Sequence, residues 1–329
     1  MTHGKIPVAI VGLGRIASLL ENDALREKPC THAGAVAGSP DCELLAGADI
    51  SEERRRLFAT RWKVPVYDSA SEMLTEHTCK ILCIATHPDS HLFYCRLAAK
   101  KRVPVVICEK PLADSLFSAR KIAALTPKIR IIVNHERRYA SDYAEARSIL
   151  MKKTLGEPLS VKASLYMGKN RRLIDVLWHD GTHLVDAMTF LAGSCLRHER
   201  RFGSDLTSTD GTVFLFGHFG GGGIAASPMP FCIELGSGRD HLVFEIEISC
   251  SAGRLRIGNG IFEVYESAPA SYAEGFRALS KTRSDFDAPT GYFSGMLADA
   301  AACVRDSERQ PLSGAEKGLA VIEYLNRVR

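Results

Sequence analysis

The sequence predicts an α/β chain in two parts. The first, residues 1–136, is an N-terminal doubly wound parallel sheet; the second, residues 137–329, is a C-terminal α+β domain with a large, mostly antiparallel sheet. Three observations carry this prediction. Short, almost wholly apolar runs alternate with helix-period segments up to about residue 135, a glycine-rich turn follows the first run, and beyond Tyr139 the runs alternate apolar and polar. The length of 329 residues suits two domains, at roughly 100–200 residues each.

In the first part, Val8–Val11, Leu44–Asp49, Ile81–Ala85, Val105–Glu109 and Ile129–Asn134 are rich in Val, Ile and Leu. Helices cover both faces of a parallel sheet, so its strands need such continuous apolar runs. Ser51–Trp62, His91–Lys100 and Ser115–Leu125 carry the helical period between them. In the second part, Ala144–Lys152 and Trp178–Leu191 read as helices. Leu159–Tyr166, Thr212–Phe219, Ile224–Ala226, His241–Ser249, Arg254–Ile257 and Ile261–Tyr265 read as strands. Gly220–Gly223 reads as a hairpin tip, since no Lys-Ser/Thr follows it to make a phosphate loop. Tyr292–Arg305 and Ala315–Arg329 close the chain as helices.

Composition excludes several classes. A hydrophobic fraction of 46 % is far above that of a disordered chain. Forty-two Lys and Arg against 38 Asp and Glu leave a net charge of +4, too small to argue for nucleic acid or an anionic membrane. The ten cysteines form no Cys-x-x-Cys pair; Cys83 and Cys108 sit inside apolar runs and read as reduced, buried thiols. The N-terminal apolar run is too short for a signal peptide, and no stretch has the length of a membrane helix, so a cytoplasmic protein is expected.

Gly12-Leu13-Gly14-Arg15-Ile16-Ala17 is a G-x-G-x-x-A between strand and helix. Gly12 permits the tight turn, Gly14 lets the backbone approach a pyrophosphate, and Ala17 lets the helix pack closely. The acidic residue that would hold the adenosine ribose is Asp49. It follows Gly12 by more than the usual spacing, which an inserted loop over Glu21–Thr31 explains. Asp49 would repel a 2′-phosphate and so favours NAD, while Ser51 and Arg54 keep NADP open. A helix-capping aspartate is the plainer alternative. Arg15, Ile16, Ile50 and His87 complete the cofactor-binding candidates.

Val-Val-Ile-Cys-Glu109-Lys110-Pro111-Leu-Ala, at a strand end after that turn, resembles the glucose–fructose oxidoreductase/inositol dehydrogenase/MocA family of Rossmann-fold oxidoreductases. Ala85-Thr86-His87-Pro88-Asp89-Ser90-His91, Gly181-Thr182-His183-Leu184-Val185-Asp186 and Pro311-Leu312-Ser313-Gly314 extend the likeness over nearly the whole chain. The resemblance implies that Lys110 hydrogen-bonds the reacting substrate oxygen and that Glu109 lines the cofactor pocket. It places Thr86 and His91 near the nicotinamide and His183 at the substrate hydroxyl, with Arg138 or Tyr139 bordering the substrate. It further implies a homodimer or homotetramer. The sequence departs from the family in one respect: its usual aspartate four residues before the histidine is His179, with Asp180 one residue later. The base is therefore left open between His183 and His179.

The chemistry fits these residue types on its own terms. Oxidising a secondary alcohol moves a hydride to NAD and a proton to a base, which histidine can supply near neutral pH. A lysine stabilises charge growing on the oxygen. His179-Asp180-x-x-His183 could also be read as two metal ligands, but no third ligand follows in pattern and none is expected. The expected function is NAD(P)-linked hydride transfer on a sugar, sugar derivative or cyclitol. The alternative is a catalytically silent NAD(P)-binding sensor of the same fold.

Overall fold

The computed structural model describes residues 4–225 and 227–329. Its first sheet is wholly parallel: β1 (Ile6–Val11), β2 (Cys42–Ala48), β3 (Val66–Tyr67), β4 (Ile81–Ile84), β5 (Val105–Cys108) and β6 (Arg130–Val133), in the order β3-β2-β1-β4-β5-β6. Every residue of β4 and β5 is buried, which is why both read as unbroken apolar runs. The order reverses at β1, and ligands of such sheets bind beyond the strand C-termini at that switch point. Between the strands lie α1 (His32–Gly38), α2 (Glu52–Trp62), α3 (Ala70–Glu76), α4 (His91–Lys100) and α5 (Leu116–Ala123). Ser51, Ser69 and Ser115 cap α2, α3 and α5 by accepting a backbone N–H into the hydroxyl. Each such cap stabilises its helix by about 1 kcal/mol. The short β3 and α3 carry too few residues to show a period in the sequence.

The helix expected after the glycine turn is interrupted as its spacing suggested. Ser18 and Leu20 N–H bond back to Gly14 and Arg15 carbonyls, making one turn, and the chain then leaves. When it returns, His32 and Ala33 N–H take the Ile16 and Ala17 carbonyls at 3.2 and 2.9 Å. Those are the partners Leu20 and Glu21 would have in an unbroken helix. Glu21 Oε2 closes the gap by accepting from Thr31 Oγ1 at 2.7 Å and Cys30 N at 3.2 Å. Gly34 is needed there, since a Cβ would lie 2.4 Å from Glu21 Oε2. Within the insertion, Lys28 Nζ donates to the Asp23 and Leu20 carbonyls.

The second sheet has eight strands: β7 (Pro158–Tyr166), β8 (Leu196–Gly203), β9 (Gly211–Phe219), β10 (Pro230–Ser237), β11 (Val243–Cys250), β12 (Gly253–Gly258), β13 (Ile261–Pro269) and β14 (Arg277–Arg283). Their order is β14-β13-β12-β11-β7-β10-β9-β8, antiparallel except for β7 with β10. Helix α6 (Ser141–Met151) precedes β7. After it, α7 (Leu173–Asp175), a π-helical turn (Val176–Asp180) and α8 (Gly181–Ala192) run on as one helical segment, α8 packing on β7.

Three expectations are corrected in this sheet. Ile224 and Ala225 form a bend instead of a strand, Ile224 N–H closing the end of α8 on the Ala192 carbonyl at 2.9 Å; Ala226 lies outside the described residues. The strand comes later, as β10, masked in the sequence by Pro230 at its start and Gly236 near its end. The unexpected β8 and β14 are the sheet's two edges, rich in arginine and largely exposed, and so without apolar alternation. At the glycine run, a Cβ on Gly223 would lie 2.3 Å from the Ala192 carbonyl, so a close approach to α8 explains that glycine.

The chain divides into Met1–Ala140 with Pro289–Ile322, and Ser141–Ala288 with Glu323–Arg329. This differs from the continuous halves expected at 136/137, because the segment carrying α9 (Tyr292–Arg305) and the start of α10 (Ala315–Val328) returns to the first unit. Tyr139 fastens that return. Its hydroxyl donates to Asp299 Oδ2 at 3.0 Å and accepts from Ser313 N at 3.2 Å, while Val133 N donates to the Ser313 carbonyl. Asp299 also takes Leu312 N and the Arg309 guanidinium. Among the described residues no helix is long and apolar enough to cross a membrane.

Removing only the Tyr139 hydroxyl, as Tyr139→Phe, leaves Ser313 N–H without its acceptor. Urea denaturation should show a loss of about 1–2 kcal/mol, the cost of one stranded polar group.

Candidate functional site

Beyond β1 the backbone turns at Gly12 with φ +84°, and a Cβ there would lie 2.6 Å from the Ala85 carbonyl. At Gly14 the nearest atoms to a Cβ belong to the Arg54 guanidinium, at 3.7 Å. The turn thus presents bare backbone, with Arg15 exposed and Ile16 half-buried beside it. Asp49, 7 % exposed, braces it: Leu13 N–H donates to Oδ2 at 2.7 Å and Ser51 N–H to Oδ1 at 2.8 Å. The capping alternative thus holds in part, since Asp49 also orders the start of α2. Arg54 Nη1 stands 3.7 Å from Asp49 Oδ2, and Ile50 is 88 % exposed. A bare double-glycine cradle, a carboxylate at the end of β2 and an exposed apolar side chain next to it fit a dinucleotide's pyrophosphate, ribose and base.

At the end of β4, Ser90 Oγ donates to Thr86 Oγ1 at 2.7 Å, and His87 is exposed. His91 has no exposed surface. Its two ring nitrogens stand 3.2 Å from the Leu112 and Thr86 carbonyls, and burial pushes its pKa down. As a neutral ring it donates to one of these carbonyls and packs beneath both strand-end loops, in place of the surface contact with a cofactor that the resemblance implied.

Glu109, at the end of β5, is the most heavily bonded carboxylate of the site. His32 Nε2 lies 2.8 Å and Asn134 Nδ2 2.6 Å from Oε1, and Lys110 N–H donates to Oε2 at 3.3 Å. All three side chains of this clamp are buried: His32 2 %, Glu109 6 % and Asn134 2 % exposed. Burial disfavours the His32 imidazolium, but the Cys83 sulfur and the Glu109 carboxylate outweigh it and raise the pKa to about 10. Burial likewise opposes ionised Glu109, yet His32, Asn134 and Lys110 bring its pKa below the usual value. Both shifts favour an imidazolium–carboxylate bridge. The Lys110–Pro111 peptide that follows is cis.

Sequence reading missed this clamp. In the sequence His32 merely follows the inserted loop, and Asn134 merely ends a strand. The helix restart at Thr31 was the available signal, because it returns His32 to the helix that follows the glycine turn. A second carboxyl, Glu136, was missed too. Burial and the Glu109 charge raise its pKa against the pull of Arg137, 3.3 Å away, and of Lys110 and Arg26. Arg138 is buried at 5 % exposure. Tyr139, expected at the substrate, gives its one donor to Asp299 and is an anchor of the fold.

In the second unit the expected catalytic segment includes the π-helical turn, a local widening common at functional sites. His179 is exposed, its side chain at 64 %, and its Nδ1 lies 3.9 Å from Asp180 Oδ1. Asp180 is held by Arg171 at 2.9 Å through Oδ2. His183, on the first turn of α8, is half-buried. Trp178 Nε1, just before His179, is a buried donor without a protein partner.

The strand order and this cradle define the fold class, a Rossmann-type dinucleotide-binding fold. Residues 6–135 match the GFO_IDH_MocA family model, described as "Oxidoreductase family, NAD-binding Rossmann fold". The chain is 26 % identical over 159 residues to inositol 2-dehydrogenase of Rubrobacter xylanophilus, 47 % of this chain and 42 % of that one. The curated relatives are thus matched over less than half their length. Two solved structures share the whole fold. A dehydrogenase from Chromobacterium violaceum superposes with a TM-score of 0.79 at 17 % identity, over 99 % of this chain and 95 % of that one. UDP-N-acetylglucosamine 3-dehydrogenase from Acidithiobacillus ferrooxidans does so at 0.77 and 15 %, over 99 % and 97 %.

The charged clamp has a pH signature. A His32 pKa raised from 6.5 to about 10 gives stability that is complete below pH 6.5 and is lost as the pH rises towards 10. A Glu109 pKa lowered from 4.5 gives stability present above pH 4.5 and lost below it. Urea midpoints of the wild type should therefore be highest between these limits and fall between pH 6.5 and 10. His32→Gln should flatten the alkaline fall; parallel curves would show that the bridge is not ionic.

Proposed function

We propose that the chain is an NAD-linked dehydrogenase acting on a carbinol carbon of a sugar, sugar derivative or cyclitol. The observation that carries this reading is Glu109-Lys110-Pro111. Its carboxylate is locked by buried partners at the end of β5, in a family segment whose glycine turn is bare for a dinucleotide. The inositol dehydrogenase and UDP-sugar dehydrogenase among the similar proteins support the substrate class.

When bound, NAD supplies the hydride acceptor. Gly12, Gly14, Arg15 and Ile16 would hold its pyrophosphate, Asp49 its ribose, Ile50 the base, and Thr86, His87 and Glu109 would border its reacting end. Lys110 offers an ammonium to the substrate oxygen and stabilises the negative charge that grows there. His183 takes the hydroxyl proton, assisted or replaced by His179, and Asp180 orients this pair while paired to Arg171. Arg138 stays a candidate for substrate binding; Tyr139 is withdrawn from that role. NAD fits better than NADP because Asp49 would face a 2′-phosphate and the Ser51 hydroxyl is used as a helix cap. Arg54, beside Gly14, is the group that would admit NADP.

A homodimer or homotetramer through the second sheet is part of the same reading. That sheet carries a ladder of ion pairs, half-buried Arg256 with Glu245 and Glu263 at 2.9 and 2.6 Å and exposed Lys281 with Glu263 at 2.6 Å. The silent-sensor reading draws on His179 standing where the family places its carboxylate, with Asp180 tied to Arg171.

The test is NADH formation from NAD across a panel of polyols, sugars and nucleotide sugars. Lys110→Ala and His183→Ala should each lower kcat at least about 100-fold while NAD affinity stays unchanged. NAD binding with no turnover on any member of the panel would favour the sensor.

A further inference from the structure

His32 touches no reacting group in the dehydrogenase reading, yet its imidazole is buried against Glu109. It reaches Glu109 only because the helix restarts after the insertion. Thr31 caps that restart, accepting Gly34 N–H at 3.0 Å, and Glu21 grips Thr31 from the other end of the gap. The ring of Phe293, on α9, meets the imidazole edge-on at 5.3 Å and blocks it from moving sideways. Asn134 approaches the same Glu109 oxygen from β6. Side chains from two separate elements thus converge on one carboxylate oxygen, and the second oxygen accepts from the Lys110 N–H.

We propose that His32 is a positioning residue for Lys110: by gripping Glu109 Oε1 it fixes the carboxylate that holds the Lys110 main chain, and so fixes where the lysine ammonium is presented. Nothing in a purely structural role for His32 requires this. A buried bridge placed elsewhere would stabilise the fold equally and leave Lys110 indifferent. The position of the insertion gains a meaning as well. It ends at Thr31, directly before His32, so the ties of Glu21 and Thr31 set the register of the very side chain that reaches the lysine loop. The catalytic consequence rests on the dehydrogenase reading; the geometric one does not.

The experiment uses the full chain and reads both. Lysines are converted to their ¹³C-dimethyl form, and the Lys110 resonance is assigned with Lys110→Arg. His32→Leu removes the donor to Glu109, and His32→Gln keeps an N–H at a similar reach. Where the leucine variant does not fold, His32→Asn, too short to reach Glu109, takes its place. The Lys110 resonance should move in His32→Leu or His32→Asn and stay at its wild-type position in His32→Gln. An unmoved resonance in the folded donor-less variant overturns the proposal, whether or not any substrate is found. Where turnover is found, His32→Leu should lower kcat roughly 10- to 100-fold, the effect of a misplaced catalytic group, with KM little changed. His32→Gln should restore most of it. An equal kcat in a folded His32→Leu enzyme also overturns it. If the wild type turns over nothing, the dehydrogenase reading fails, and the lysine resonance still decides the placement of Lys110.

Discussion

A carboxylate almost out of water must be met by donors, and Glu109 is the point at which this structure answers that demand. An isolated buried charge is costly, and breaking a buried pair by removing one partner costs about 3–5 kcal/mol. Glu109 is met by an imidazolium, a primary amide and a backbone N–H drawn from α1, β6 and its own strand end. Satisfying it fixes how close α1 comes to the ends of β5 and β6. The glycine turn, Asp49 and the Lys110 loop already share that end of the sheet, because each follows the C-terminus of a parallel strand, β1, β2 or β5. Moving any one of these elements would strand a charge.

The insertion shows how a fold accepts extra chain without changing its core. A helix is a ladder of i to i−4 bonds, and the ladder depends on which groups meet, with no regard to how much chain separates them. The carbonyls of Ile16 and Ala17 are satisfied by His32 and Ala33, so the helix continues in space although the sequence departs. The cost moves to the two loop ends. There Glu21 takes up the Cys30 and Thr31 donors, and Glu27 reaches Thr290 and Gly291 at 2.8–3.0 Å to hold the loop itself. A glycine at 34 is the steric condition for this closure.

Where burial is two-sided the sequence was legible. β4, β5 and β6 stood out as apolar runs, α4 and α9 kept the bounds their periods gave, and the glycine turn and Glu109-Lys110-Pro111 carried the likeness to the family. Legibility failed wherever a residue's environment is set by distant chain. β8 and β14 are edges that bury little, β10 begins on a proline, and the return of Pro289–Ile322 is secured by scattered contacts, among them the Tyr139 hydroxyl and the Val133–Ser313 bond, with no pattern of their own. Tyr139 and His91 had residue types suited to ligand binding, but their polar atoms are used inside the protein. His32 is the converse. Its sequence neighbours are a loop, and only the resumed ladder places it under the lysine loop.

The two units differ in how firmly they hold their candidate residues, and this bears on what each can decide. In the first, Glu109, His32, Asn134 and Asp49 are all buried and multiply bonded, so their geometry is set before any ligand arrives. Preorganisation of that kind suits a cofactor common to many substrates, because fixed dipoles need not reorganise during the reaction. In the second, His179 is mostly exposed, and Asp180 is held by Arg171, itself partly open to solvent. The π-helical turn beneath them departs from regular helix, and Trp178 Nε1 beside it is a buried donor that no protein group satisfies. A polar atom left over in this way is the kind that a substrate hydroxyl can satisfy, and discrimination by hydrogen bonding is strongest where the alternative is a stranded polar group. On the dehydrogenase reading proposed above, selectivity would therefore reside in the Arg171–His183 segment, while the first unit, with its charges already committed, would serve the cofactor.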